Sequence, residues 1–179
     1  MKKKIQLLSM SLMLSVFAMA GPDIGFMHEG GVFLSIFTGD DLTTADYGVA
    51  YTPRLNFPLS KNTSVSADLP MALGLNFAVS SREGGGGMFS FQIPLKASFN
   101  YGLGANDDDS FGFFGGAGLG MGYFAFADGW SSGSGFTTGG YADAGIRFAG
   151  GDTGNYSVAA NALIGKELSI YGLRASMMF

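Results

Sequence analysis

From Tyr47 to Phe179 the strand-like stretches repeat one pattern. Apolar side chains recur at every second residue, and Asp, Glu, Lys and Arg stay off the apolar set. A period of two marks β-strands whose two faces meet different surroundings. The clearest stretch alternates Phe89, Phe91, Ile93, Leu95, Ala97, Phe99 and Tyr101 with Ser90, Gln92, Pro94, Lys96, Ser98 and Asn100. Arg54, Asp68, Lys96, Asp143, Arg147 and Arg174 all fall on the second face of their strands. A Lys or Arg facing lipid at mid-bilayer costs roughly 2–4 kcal/mol, so the charge-free face reads as the lipid face.

Composition points the same way. Charged residues make up 13% of the chain and aromatics 14%, against about a quarter charged in an ordinary soluble domain. No segment after residue 20 is apolar for long enough to form a membrane helix. Alternating strands closed into a barrel are then the remaining way to span a bilayer. A soluble lipocalin-like barrel with the apolar face inward is the rival. It would leave only a sparse polar set outside, with a stripe of glycines at 112, 116, 118, 120 and 122.

About eight strands are expected, near residues 29–38, 47–57, 63–78, 89–101, 111–125, 136–149, 156–165 and a last one ending at Phe179. Most are long enough to cross at the ~9–11 residues a tilted strand needs. With an even count and a periplasmic start, the loops near 39–46, 79–88, 127–135 and 166–167 face outward. The turns near 58–62, 103–109 and 150–155 face the periplasm. The ring-bearing residues Tyr51, Phe57, Phe77, Phe99, Tyr101, Tyr123, Phe136, Phe148, Tyr156, Tyr171 and Phe179 fall near strand ends, where amphipathic rings suit the membrane interface.

The start of the chain reads as an export signal. Lys2, Lys3 and Lys4 precede an apolar run from Ile5 to Phe17, and Ala18-Met19-Ala20 gives the small-x-small cleavage pattern. The run is short for a membrane anchor and Ser9, Ser11 and Ser15 interrupt it. The expected division is a signal peptide over 1–20 and a barrel domain over 21–179. The absence of Cys excludes disulfides and a lipid-modified cysteine. Beyond residue 20 the chain carries 7 basic and 14 acidic residues, a balance of −7, so nucleic acid is not an expected partner.

The final alternating residues Tyr171, Leu173, Ala175, Met177 and Phe179 resemble the C-terminal signal by which bacterial outer-membrane barrels are recognised for assembly. With the export signal and the alternating strands, the chain resembles the small eight-stranded outer-membrane barrels, of the outer-membrane protein X type and the outer-membrane protein A membrane-domain type. That resemblance implies an all-β, antiparallel, up-and-down transmembrane barrel in a Gram-negative outer membrane. It implies contact with membrane lipid and lipopolysaccharide, and delivery by the barrel-assembly machinery. It specifies an architecture and an assembly route, not an activity; no enzymatic activity and no cofactor are expected, because His28 is the one histidine and falls away from the outer-leaflet lipid.

Six inward charges, Arg54, Asp68, Lys96, Asp143, Arg147 and Arg174, must share a lumen barely wide enough for side chains. Buried charges need partners, so they are expected to form a network that plugs the barrel. The chain would then act as a structural or surface-interaction component of the envelope. The alternative is a narrow pore, or a lateral path for small or hydrophobic solutes. Pro70 and Pro94 favour the lateral path, because each falls mid-strand in neighbouring strands and removes a ladder donor. Pro53 is expected at a bulge.

The remaining candidates carry less. His28-Glu29 is the one histidine–acid pair, but it lies at the periplasmic end, away from outer-leaflet lipid. Asp107, Asp108 and Asp109 lack the spacing of a calcium loop. Asp40, Asp41 and Asp46 are candidates to share cations with lipopolysaccharide, and Trp130, Phe126 and Phe136 for a surface contact patch. The Gly84–Gly87 run precedes no helix and reads as a loop. No metal site is expected.

Overall fold

A computed structural model describes residues 24–39, 43–78, 86–105, 109–127 and 132–179. The alternating stretches are strands: β1 (Gly25–Gly39), β2 (Thr43–Ser60), β3 (Thr63–Asp68), β4 (Met71–Ala78), β5 (Gly86–Gly102), β6 (Phe111–Ala127), β7 (Ser132–Ala149), β8 (Asn155–Gly165) and β9 (Leu168–Met178). Every pairing is antiparallel. β3 and β4 are two halves of one barrel strand, interrupted at Leu69-Pro70, and both lie between β2 and β5. β1 pairs with both β2 and β9, so eight strands close into a ring with no free edge. Closure removes the unpaired backbone groups that hydrocarbon cannot satisfy.

Several strands run further than the alternation alone marks. β2 extends to Ser60 with a register shift between Pro58 and Ser60, and β7 starts at Ser132 in a Ser/Gly run with no apolar alternation to announce it. The connection after β7 is a short 3-10 turn, Gly151–Thr153. One end of the barrel carries the turns after β2, β5 and β7, here the turn end. The opposite, loop end carries the connections after β1, β4, β6 and β8.

The two faces sort as physics requires. Val32, Leu34, Val49, Leu55, Leu73, Leu95, Leu119, Ile146, Val158 and Leu173 are among the large apolar side chains left exposed outside. Arg54, Asp68, Lys96, Asp143, Arg147 and Arg174 are buried inside. For a molecule in water this arrangement is inverted, and in a bilayer it is the stable one. Phe57 departs from the expected interface ring and is buried. Phe126 packs inward on the lumen cluster while Phe136 is exposed outside, so the two do not share a patch; Trp130 lies outside the described residues.

Candidate functional site: the barrel lumen

Three charges are direct cross-strand neighbours. Arg54 on β2 pairs in register with Asp68 on β3, and Asp68 with Lys96 on β5. Arg54 Nε donates to Asp68 Oδ1 at 3.0 Å, and Lys96 Nζ lies 2.9 Å from Asp68 Oδ2. Lys96 then crosses to β7, its Nζ 2.8 Å from Asp143 Oδ1. It can do so because β6, the strand between, places glycines 116 and 118 toward the lumen. A Cβ on Gly116 would lie 3.1 Å from Asp143 Oδ1, and one on Gly118 only 2.6 Å from Lys96 Cα.

The hub of the network is Glu29 on β1. Its Oε1 accepts from Arg54 Nη2 at 2.7 Å and from Arg147 Nη2 at 3.2 Å, and its Oε2 accepts from Ser157 Oγ at 3.3 Å. Arg174 Nη2 lies 3.9 Å from that same Oε2 and 3.7 Å from Asp143 Oδ2. The charged layer therefore holds seven side chains, with Glu29 joining the six read from the sequence. The signal for Glu29 was its parity with Phe33, Ser35 and Phe37, all buried like it. The Gly30-Gly31 pair breaks the alternation and hides that parity.

Other groups complete this layer. The Phe114 ring stacks under the guanidinium of Arg147, 4.0 Å from ring centroid to Cζ, a contact that favours a desolvated cation. Arg147 Nη1 also donates to Asn100 Oδ1 at 2.8 Å. Leu103 and Gly104, just past β5, pack into the turn end. Leu103 is fully buried, and position 104 suits glycine twice over: its φ is +93°, and a Cβ there would lie 2.8 Å from the Arg147 side chain.

The loop half of the lumen carries an apolar cluster beside the buried polar side chains of Asp46, Ser90 and Thr137. Phe37, Met88, Phe124, Tyr141, Leu163, Leu168 and Ile170 form one buried cluster, with Phe126 packed on it. Here too glycines of β6 make room. A Cβ on Gly120 would lie 3.1 Å from Leu163 Cδ1, and Gly122 faces Leu163 and Ile170. The space beside the glycines is thus filled by aliphatic side chains from β8 and β9. On β7 the converse holds. Phe114, Phe124 and Phe126 lie in register with Gly145, Gly135 and Gly133, and each ring covers its glycine, the cross-strand device by which aromatics cover bare backbone.

Asp46 belongs to neither layer. It is buried in the lumen and accepts from Ser90 Oγ, so it does not face an outer surface with Asp40 and Asp41, which lie outside the described residues. Ser35 Oγ accepts from Gln92 Nε2 at 3.0 Å just below it.

The other sites read from the sequence fall elsewhere. Tyr171, Leu173, Ala175, Met177 and Phe179 face outward on and beyond β9. His28 and Phe179 exchange two backbone hydrogen bonds of 3.0 Å, their rings stack at 5.8 Å, and the His28 ring is bonded to the Tyr51 hydroxyl. Pro70 marks the break between β3 and β4, and Pro94 stands opposite Gly120. Leu69 N–H still donates to the Pro53 carbonyl at 3.1 Å across that break, and Pro53 itself sits in a regular ladder with His28, with no bulge there. Ala18, Ala20, the Asp107-Asp108 pair and the Gly84-Gly85 pair lie outside the described residues. Among the described residues no group of His, Cys, Asp and Glu is arranged to hold a metal ion.

A scan against protein-family models finds no match, and a search of curated proteins finds none. Solved structures do match. Ail, the attachment invasion locus protein of Yersinia pestis, in complex with the heparin analogue sucrose octasulfate, aligns with a TM-score of 0.58 at 14% identity. The alignment covers 88% of this chain and 99% of that one. Neisserial surface protein A aligns with a TM-score of 0.50 at 12% identity, over 87% of this chain and 97% of that one. At such identities the likeness is one of fold, and the fold is that of the small eight-stranded outer-membrane β-barrels.

Proposed function

We propose that this protein is a non-enzymatic integral barrel of the Gram-negative outer membrane with a plugged lumen, acting as a structural or surface-interaction component of the envelope. The single observation that carries this reading is the two-layer lumen. An ion entering from the turn end would meet a layer of seven charges, and one from the loop end a packed apolar cluster that includes Phe37, Leu163, Leu168 and Ile170. Delivery by the barrel-assembly machinery through the Tyr171–Phe179 strand belongs to the same proposal, as does contact with lipopolysaccharide. So do a signal peptide over residues 1–20, cleaved after Ala20, and a barrel domain over 21–179.

The polyanion seen on Ail does not extend to this chain in our reading. Of the basic residues past residue 20, Arg54, Lys96, Arg147 and Arg174 are buried in the lumen, which leaves Lys61, Arg82 and Lys166. A surface partner is better sought among neutral or cationic ligands of the loop end.

The test is single-channel recording of the folded protein in a planar bilayer, with a heat-modifiability gel to verify folding. A folded, silent barrel is expected; a steady, salt-dependent conductance would refute the plug.

A second reading is favoured by one observation. The ladder breaks at Leu69-Pro70, and an outer groove lined by Leu69, Ile93, Leu95, Leu119 and Met121 lies over that break. A lateral path for small hydrophobic solutes would open there. Ala72 and Gln92 are register partners beside it. In this reading an Ala72→Cys, Gln92→Cys disulfide abolishes uptake of a hydrophobic dye into vesicles, and uptake unchanged by the disulfide removes the lateral path.

A further inference from the structure

Between the charged layer and the apolar layer the lumen holds a small cavity of about 20 Å³, lined by Phe33, Ser35, Gln92, Tyr141, Asn161 and Arg174 among others. One water-sized sphere occupies about 10–15 Å³ by this measure, so the space suits a single small species. Arg174 forms part of the wall and is only 6% exposed. Its Nη1 donates to Thr52 Oγ1 at 3.0 Å, while Nε and Nη2 have no hydrogen-bond partner. The nearest carboxylate oxygens, on Asp143 at 3.7 Å and Glu29 at 3.9 Å, lie beyond hydrogen-bond reach. Both of those acids are already engaged at shorter range by Lys96 and Arg54.

The charge count leaves the same remainder. The layer holds four cations, Arg54, Lys96, Arg147 and Arg174, against three carboxylates, Glu29, Asp68 and Asp143. Asp46, the other buried carboxylate among the described residues, accepts from Ser90 and does not line the cavity, whereas Ser35 and Gln92 do. A buried guanidinium with two free donors, whose nearest carboxylates stand at 3.7 and 3.9 Å and are shared with other cations, is costly.

We propose that this cavity binds one monoatomic monovalent anion, a halide such as chloride, held by Nε and Nη2 of Arg174. Tyr141, Asn161 and Ser35 bring further hydrogen-bond donors to the wall, and Phe33, Ala50 and Pro94 supply its apolar part. A water molecule would satisfy the donors but leave the charge. Sulfate and larger anions exceed the volume. The proposal rests on the plugged-lumen reading, and the two fail separately.

The test is to crystallise the protein from sodium bromide and map anomalous scattering at the bromine edge. Thermal unfolding is followed alongside while chloride replaces gluconate at constant ionic strength. One bromine peak beside Arg174 is expected, with an unfolding temperature that rises to saturation with chloride. Arg174→Gln loses both. Ordered water in the cavity with no bromine peak, and an unfolding temperature indifferent to chloride, overturns the proposal while leaving a silent barrel plugged. Should the variant fail to fold, the bromine map of the unaltered protein decides alone. A conducting barrel would refute the plug whatever occupies the cavity.

Discussion

Lys96 on β5 reaches Asp143 on β7 across the full width of β6, its Nζ 2.8 Å from both carboxylate oxygens. The span is possible only because the intervening strand offers Gly116 and Gly118 to the lumen. Gly118→Val therefore forces the backbone apart at Lys96, and destabilisation of about 1–3 kcal/mol is expected from such overpacking. Gly140, on the lipid face of the next strand, has open space where a Cβ would go. Gly140→Ala is expected to stay within about 0.5 kcal/mol of the parent. Urea unfolding in lipid vesicles measures both, and equal costs would show that the glycine stripe is not a crossing.

Removing the hub should be worse than removing a spoke. Glu29→Gln leaves Arg54, Arg147 and Arg174 around a neutral amide. Breaking a buried pair from one side costs about 3–5 kcal/mol. Arg174→Gln, whose donors are mostly unpartnered, is expected to cost less. The same unfolding assay ranks the two, and the reverse order would remove Glu29 from the centre of the network.

The apolar layer changes what loss of arginine does to permeation. From the sequence, Arg147→Ala with Arg174→Ala is expected to unbalance the plug and raise conductance. With Phe37, Leu163, Leu168 and Ile170 closing the other half, that pair of changes alone should leave the barrel silent. Adding Leu163→Ser and Ile170→Ser wets the second layer and should give resolvable channels. Single-channel recording distinguishes one barrier from two.

Phe179 is expected to matter to assembly more than to the finished barrel. Its ring is 69% exposed and stacks on His28, an aromatic contact of about 0.5–1.5 kcal/mol. Phe179→Ala should lower the rate at which the heat-modifiable form appears in cells while moving the urea midpoint little. A variant that assembles at the parent rate would remove the terminal strand from the recognition step.

The strands from Tyr47 onward were legible because lipid on one side and a polar lumen on the other print a two-residue period. That period also placed Arg54, Asp68, Lys96, Asp143, Arg147 and Arg174 on one side of the wall. It could not show that an apolar cluster fills part of the lumen. Leu163 and Ile170 sit on the inward face, yet an apolar residue there leaves no mark that separates it from a tolerated exception. Asp46 looked like a loop residue because it follows a polar run, and only its pairing with Ser35 brings it inside. Glu29 was masked by two glycines. Contacts that cross the lumen, such as Leu163 and Ile170 over Gly122, link strands with no sequence relation at all.

Glu29 lies on β1, and its partners Arg147 and Arg174 lie on β7 and β9. Arg54, Asp68 and Lys96 can pair as soon as β2, β3 and β5 have met, with one positive charge left over. Glu29 completes its set only when β1 docks on β9 and the sheet becomes a ring. A half-closed sheet would present unmatched charges to hydrocarbon, so the final seam is tied to the gain that makes the earlier pairings tolerable in the membrane. The order of assembly is in this sense written into the wiring of the interior, with the two ends of the chain as its last connection.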